Sequence, residues 1–223
     1  MKPSVFKIWL GAILISRLLL AEHPSPTESS PVELRKAAEQ GDPLAQFRLA
    51  VMYGQGQGVT QDCVEAGKWF SKSAQQGNAD AQYNLAVMYG NGQGIAQDFS
   101  ESARWYRKAA DQGNTLAQSN LGVIYSQGMG VVQDYAEAVR WFSKAAGQGD
   151  GLAQAKLAIM FQEGEGMAQD YVQAHMWFDL ASVRSADPDR GRFAAMRDKL
   201  EAKMTSGQIT HARQLAKQWK PAR

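Results

Sequence analysis

A single pattern returns four times in this chain at an unbroken spacing of 36 residues. Gly41, Gly77, Gly113 and Gly149 each open a unit, and Ala-Gln follows at Ala45-Gln46, Ala81-Gln82, Ala117-Gln118 and Ala153-Gln154. An aromatic returns at Tyr53, Tyr89, Tyr125 and Phe161, and tryptophan at Trp69, Trp105, Trp141 and Trp177. Gln-Asp returns at Gln61-Asp62, Gln97-Asp98, Gln133-Asp134 and Gln169-Asp170. A repeat of this length without insertion or deletion predicts stacked helical units in place of one globular core, because each unit can bury its apolar face only against its neighbours. In such an array function belongs to a surface, not to one catalytic cleft.

Each unit reads as two antiparallel helices. Asp42, Asn78, Asn114 and Asp150 stand where an N-cap side chain accepts a bond from an unpaired helix N–H, and Asp62, Asp98, Asp134 and Asp170 open the second helices in the same way. Apolar or small residues at helical spacing, for example Ala81, Leu85, Ala86 and Tyr89, give each first helix a buried face. Between the helices lies a glycine loop, Gly54 to Gly58 in the first unit. A phosphate cradle would follow a strand and open a helix. This loop follows a helix and occurs four times, so its glycines are read as positive-φ turn residues. Glu65, Glu101 and Glu137 precede Lys68, Arg104 and Arg140 by three positions, the spacing of exposed helical ion pairs. The Trp-aromatic pairs are core. Cys63, the sole cysteine, cannot form an intrachain disulfide and is read as a small buried apolar residue.

The units occupy residues 41–76, 77–112, 113–148 and 149–184, preceded by a half-unit helix at 31–40 and followed by capping helices at 185–223. The cap is announced by the fourth unit itself. Columns holding Lys68, Arg104 and Arg140, and Lys72, Lys108 and Lys144, turn to Met176 and Leu180 there, so something packs on that face. Residues 188–204 offer Phe193, Met196, Leu200 and Met204 on one side, and a second helix begins at Thr205 with Gln208 at capping-box spacing. Its inward residues are Ile209, Ala212, Ala216 and Trp219.

The start of the chain carries a different message. Lys2 and Lys7 precede an apolar run, Ile8 to Ala21, with cleavage expected at Ala21-Glu22, the pattern of an export signal. The run is shorter than the about 20 residues that span a bilayer. A periplasmic or secreted location is the reading; a membrane tether left uncleaved and a cytoplasmic chain are its alternatives. Residues 22–30 form a Pro/Ser/Thr-rich linker. Residues 190–223 hold nine Lys/Arg against two Asp/Glu, which leaves 22–189 net acidic and excludes a nucleic-acid surface on the repeats.

Gly-Asn-Ala-Asp-Ala-Gln-Tyr-Asn-Leu-Ala-Val-Met-Tyr at 77–89 and Gln-Asp-Tyr-Ala-Glu-Ala-Val-Arg-Trp-Phe-Ser-Lys-Ala-Ala at 133–146 follow one family pattern throughout. The chain resembles the Sel-one-like repeat, a relative of the tetratricopeptide repeat, over residues 41 to about 184 and the half unit before them. The resemblance implies an all-α fold, a right-handed α-solenoid of antiparallel helix pairs, whose usual role is to bind or scaffold other proteins. Some secreted relatives staple each repeat with cysteine pairs. This chain lacks those cysteines and stands outside that group, so a penicillin-interacting hydrolase is kept only as an alternative reading.

Nothing in the sequence supports catalysis. Ser-x-x-Lys occurs only as Ser4 to Lys7 in the export-like segment, and there is no Gly-x-Ser-x-Gly elbow. No cofactor is implied, and His175 and His211 lack a metal-ligand spacing and are assigned to packing or surface. If the stack curves as tetratricopeptide arrays do, the first helices line its concave side, and the columns that vary between units face a protein or peptide partner. Those columns hold Leu44, Asp80, Leu116 and Leu152; Phe47, Tyr83, Ser119 and Ala155; and Arg48, Asn84, Asn120 and Lys156. Val51, Val87, Val123 and Ile159 form their apolar floor. A bridge between enzymes of the cell wall is the alternative role.

Overall fold

The computed structural model describes residues 31–221, and among them the regular secondary structure is all helix, joined by turns and loops. The export-like segment, the linker at 22–30 and the last two residues of the cap lie outside the described residues. The chain divides into two compact units, one ending at Asp98 and the other beginning at Phe99. The first holds α1 (Pro31–Glu39), α2 (Pro43–Gln55), α3 (Cys63–Gln75) and α4 (Ala79–Asn91). The second holds α5 (Phe99–Asp111), α6 (Thr115–Gln127), α7 (Tyr135–Gly147), α8 (Gly151–Glu163), α9 (Tyr171–Arg184), α10 (Asp189–Glu201) and α11 (Ser206–Gln218).

Helix boundaries follow from side chains that satisfy terminal backbone groups. Asp42, Asn78, Asn114 and Asp150 each accept the N–H three residues on, at 2.7, 2.8, 2.9 and 2.6 Å. Asp62 accepts from Val64 and Glu65, Asp134 from Glu137, and Asp170 from Val172 and Gln173. The first helices stop where Gly56, Gly92, Gly128 and Gly164 adopt left-handed backbone, each returning its N–H to a carbonyl of the last turn.

The motif glutamines tie the helices together. Gln46, Gln82, Gln118 and Gln154 are buried, and each donates to a carbonyl at the end of the preceding helix, Ala38, Ala74, Ala110 and Ala146 respectively, at 3.1 Å. Gln61, Gln97, Gln133 and Gln169 donate to Gly54, Gly90, Ser126 and Gln162, clamping each interhelical loop. Trp69, Trp105 and Trp141 are buried, and Lys72, Lys108 and Lys144 lie 4.0, 4.0 and 4.1 Å over their rings. The ion pairs Glu65–Lys68, Glu101–Arg104 and Glu137–Arg140 form as their spacing predicts.

In the second unit, one core cluster joins Phe142, Ala145 and Ala146 of α7 to Leu157 and Met160 of α8. The next joins Ala158 to Phe178 of α9 and Leu200 of α10. Met176 and Leu180 are buried at 6% and 8% exposure under Ala216, with Leu215 and Trp219 of α11 packed beside them, so the change from charge to apolar in those columns has its cause in the cap. Thr205 and Gln208 form the capping box at the start of α11. Cys63 departs from expectation: it is partly buried, not buried, because it occupies the first position of α3 with its carbonyl turned toward Gly94.

Candidate functional site

Repetition identifies which residues are committed to structure, and the first-helix columns that vary are what remains. Each compact unit presents its own set. In the first unit Leu44 is 44% exposed, Arg48 and Asp80 are exposed, and Tyr83 and Asn84 are partly buried. Phe47 turns inward, its ring tilted against Phe70 at 5.8 Å. Asn84 Nδ2 donates to the Asp80 carbonyl one turn back, at 2.8 Å.

In the second unit α6 and α8 carry the corresponding residues. Leu152 is 39% exposed, and Leu116, Asn120 and Lys156 are partly buried. Asn120 Nδ2 donates to the Leu116 carbonyl at 2.9 Å, so the amide presents its oxygen as the remaining acceptor. Two expected lining residues are closed off. Ser119 is buried with its Oγ 3.3 Å from the N-cap carboxylate Asp150, and Ala155 is buried beneath Phe193 and Ala181. A column that varies is therefore not always an open one. The apolar floor is itself core in part: Val87 is buried, Val123 packs on the Phe142 cluster and Ile159 on the Phe178 cluster.

The varying columns extend one residue further than the repeat motif indicates. Arg192 lies 36 positions after Lys156, as Phe193 lies 36 after Leu157, so α10 continues the first-helix columns although the repeat motif has ended. Phe193 is buried like Leu157, but α10 does not open a fifth pair: α10 and α11 both pack on α9. Burial holds the Lys156 ammonium below the usual lysine range, and the charge of Arg192 pushes it the same way.

Among the described residues no cluster of three or more His, Cys, Asp or Glu could hold a metal, and no helix is long and apolar enough to cross a membrane. His175 is fully buried with Nε2 2.8 Å from Glu201 Oε1, while His211 is exposed on α11.

The Sel1 repeat family model matches residues 34–42, 43–78, 79–114, 115–150 and 151–182. The chain belongs to the Sel1 repeat family. The solved structure of a Sel1 repeat protein from Oxalobacter formigenes aligns with a TM-score of 0.72 at 31% identity, covering 85% of this chain and 78% of that one. A protective antigen present in uropathogenic Escherichia coli strains, which displays an SLR fold, aligns at 34% identity with a TM-score of 0.55; the match covers 85% of this chain and 48% of the antigen. A search among curated proteins gives no match. The all-α repeat architecture of this Sel1 chain is thereby fixed. Sel1 repeat proteins generally mediate protein–protein interaction and are generally scaffolds without catalytic activity.

Proposed function

We propose that this Sel1 repeat protein is a non-enzymatic binding or scaffold protein that takes a peptide segment or folded partner on a first-helix face within one of its compact units. The observation that carries this reading is the division of labour among residues. The strictly repeated polar residues of the motif are engaged in caps, loop clamps and interhelical bonds, whereas Leu44, Arg48, Leu116, Asn120, Leu152 and Lys156 vary and keep contact with solvent. Exposed apolar side chains beside amide and cationic groups suit a peptide, whose backbone and side chains offer both kinds of contact. We further propose that the chain works outside the cytoplasm, in the periplasm or secreted, on the strength of the positive and then apolar stretch at Met1 to Ala21.

A pulldown tests the binding reading. The full-length protein is used as bait against an envelope fraction, beside a first-helix variant, Leu116→Ser with Leu152→Ser, and a second-helix control, Arg104→Ser with Arg140→Ser. The expected result is a partner recovered by wild type and control and lost with the first-helix variant. Equal recovery by all three removes the α6–α8 face of the second unit from consideration. For export, the mass of the protein recovered from the periplasm of a Gram-negative host should correspond to a chain starting at Glu22; retention in the cytoplasm with residues 1–21 intact would overturn that part.

A further inference from the structure

We propose that the end of the cap where α9 and α11 finish, carrying Val183, Arg184, Lys217, Trp219 and Lys220, is a contact surface for an anionic phospholipid bilayer. This inference does not rest on the binding reading above, since it concerns other helices and another kind of partner.

Three observations converge on it. Met176 and Leu180 lie under α11, and Val183 continues their stripe along α9 but is 72% exposed. Next to it in the chain, the Arg184 guanidinium lies 4.6 Å over the Trp219 ring, which is partly exposed and set edge-on to Trp177 at 6.1 Å. An aliphatic side chain and an indole that reach solvent beside cations are groups that settle at the boundary between headgroups and acyl chains. Second, the cations here are not neutralised. Among the described residues Arg184, Lys217 and Lys220 make no ion pair, while Asp179 is held by Arg197 and Glu201 by His175 and Arg213. Third, charge is divided along the chain: residues 190–223 hold nine Lys/Arg against two Asp/Glu, and residues 22–189 are net acidic. An anionic surface attracts the one and repels the other, which directs contact to the cap. A carboxylate site in an acidic peptide's partner needs donors that converge on one point. These cations come instead from two helices and the segment after α11, around apolar side chains, and so match a layer of headgroups over an apolar interior. A few cations or a single valine hold a protein weakly at a bilayer, and the two contributions act together.

Vesicle flotation tests it with the full-length protein, on phosphatidylcholine alone and on phosphatidylcholine mixed with phosphatidylglycerol. Wild type is compared with Lys217→Gln plus Lys220→Gln, with Val183→Ser, and with a control that removes two exposed cations of the first unit, Lys36→Gln plus Arg48→Gln. Residues 1–21 are common to all four, so differences among them report the cap. The replaced side chains are exposed, which keeps the risk to folding small. Wild type and the first-unit control should float with the mixed vesicles, less so as salt rises. The double lysine variant should bind about tenfold or more weaker, and Val183→Ser about threefold weaker with the same salt dependence. Absence of flotation, equal flotation of wild type and the lysine variant, an equal loss in the first-unit control, or equal binding to vesicles without phosphatidylglycerol would each overturn the proposal. Capture on immobilised poly-glutamate without flotation would overturn it as well, and would assign the same cations to an acidic protein.

Discussion

Glu201 joins three helices through one oxygen. Its Oε1 lies 2.8 Å from His175 Nε2 on α9 and 2.8 Å from Arg213 Nη2 on α11, while Glu201 itself ends α10. His175 is wholly buried and its Nδ1 has no hydrogen-bond partner, which suits the tautomer that donates from Nε2 and leaves Nδ1 unprotonated. The hydrogen bond from His175, followed by that from Arg213, holds the Glu201 carboxyl below the usual carboxylate range against an opposing effect of burial. A folded-state pKa below the unfolded one stabilises fully above the ordinary carboxylate range, and that stability is lost as pH falls through the folded value. Glu201→Gln should therefore cost about 1 kcal/mol at neutral pH, and urea midpoints of the two proteins should converge as pH drops below that range. A gap independent of pH would show that the carboxylate's charge does not matter. At the same scale, two glycines with similar backbone differ in what surrounds them. Gly113 has φ +91° and nothing within 4 Å of an added Cβ, whereas Gly130 has φ +67° and an added Cβ would collide with the backbone of Phe99 and Ser100. Gly113→Ala should cost about 1–2 kcal/mol from backbone strain alone, and Gly130→Ala about 1–3 kcal/mol more. Thermal denaturation of the two variants reads that difference directly; equal losses would refute the close contact.

At the scale of elements, Arg107 does for α5, α6 and α7 what Glu201 does for the cap. Its Nη2 lies 2.6 Å from the Tyr125 hydroxyl and 3.1 Å from Glu137 Oε1, which also accepts from Trp141 Nε1 at 2.9 Å. The same column holds Ser71 and Ser143, and the tyrosine column ends in Phe161, so the protein itself samples both partners' absence. Arg107→Ser and Tyr125→Phe should each destabilise by about 1 kcal/mol and show positive coupling of about 0.5–1 kcal/mol in a double-mutant cycle. Strict additivity in urea denaturation would deny the bond any energetic part. Such contacts mark how far a sequence reveals its own packing. Caps, glycine turns and the Glu–Lys or Glu–Arg pairs are legible because partner and spacing lie within a few residues. The roles of Gln46 and its counterparts are not, because their acceptors sit on the preceding helix. The candidate face is legible only in part: Ser119 and Ala155 vary like surface residues, yet Asp150 engages one and Phe193 covers the other. Arg192 is within reach, since counting 36 residues past Lys156 finds it; the loss of the glycine and tryptophan signals after the fourth unit hides the continuing period. The same break has a local consequence. Gln76 and Gln148 donate to Gln46 and Gln118, but Arg184 replaces them in the fourth unit, lies 4.6 Å over the Trp219 ring, and leaves Gln154 Oε1 buried without a partner.

At the scale of the whole molecule, a repeat array must end, and the residues that end it face opposite demands depending on whether a cap covers them or water does. Met176 and Leu180 occupy columns that are Lys or Arg in every earlier unit, and α11 buries them beneath Ala216, Leu215 and Trp219, the last set edge-on to Trp177 at 6.1 Å. Deleting residues 186–223 uncovers this surface and also the Phe178 and Ala181 contacts made by α10. Exposed stacking faces associate, so the truncated protein should form concentration-dependent oligomers by light scattering and lose its single cooperative unfolding transition. The decisive comparison restores the earlier columns with Met176→Lys and Leu180→Lys. In the truncated chain these changes should return the protein to monomer, because they recreate the charged face that the first three units show to solvent. In the full-length chain the same pair should destabilise by about 2–5 kcal/mol, since each places an ammonium at a buried apolar site. One substitution pair with opposite effects in two contexts isolates the cap as the cause. If it fails to solubilise the truncated chain, the exposed face of α9 is not what drives association; if it leaves the full-length protein unperturbed, α11 does not bury that face.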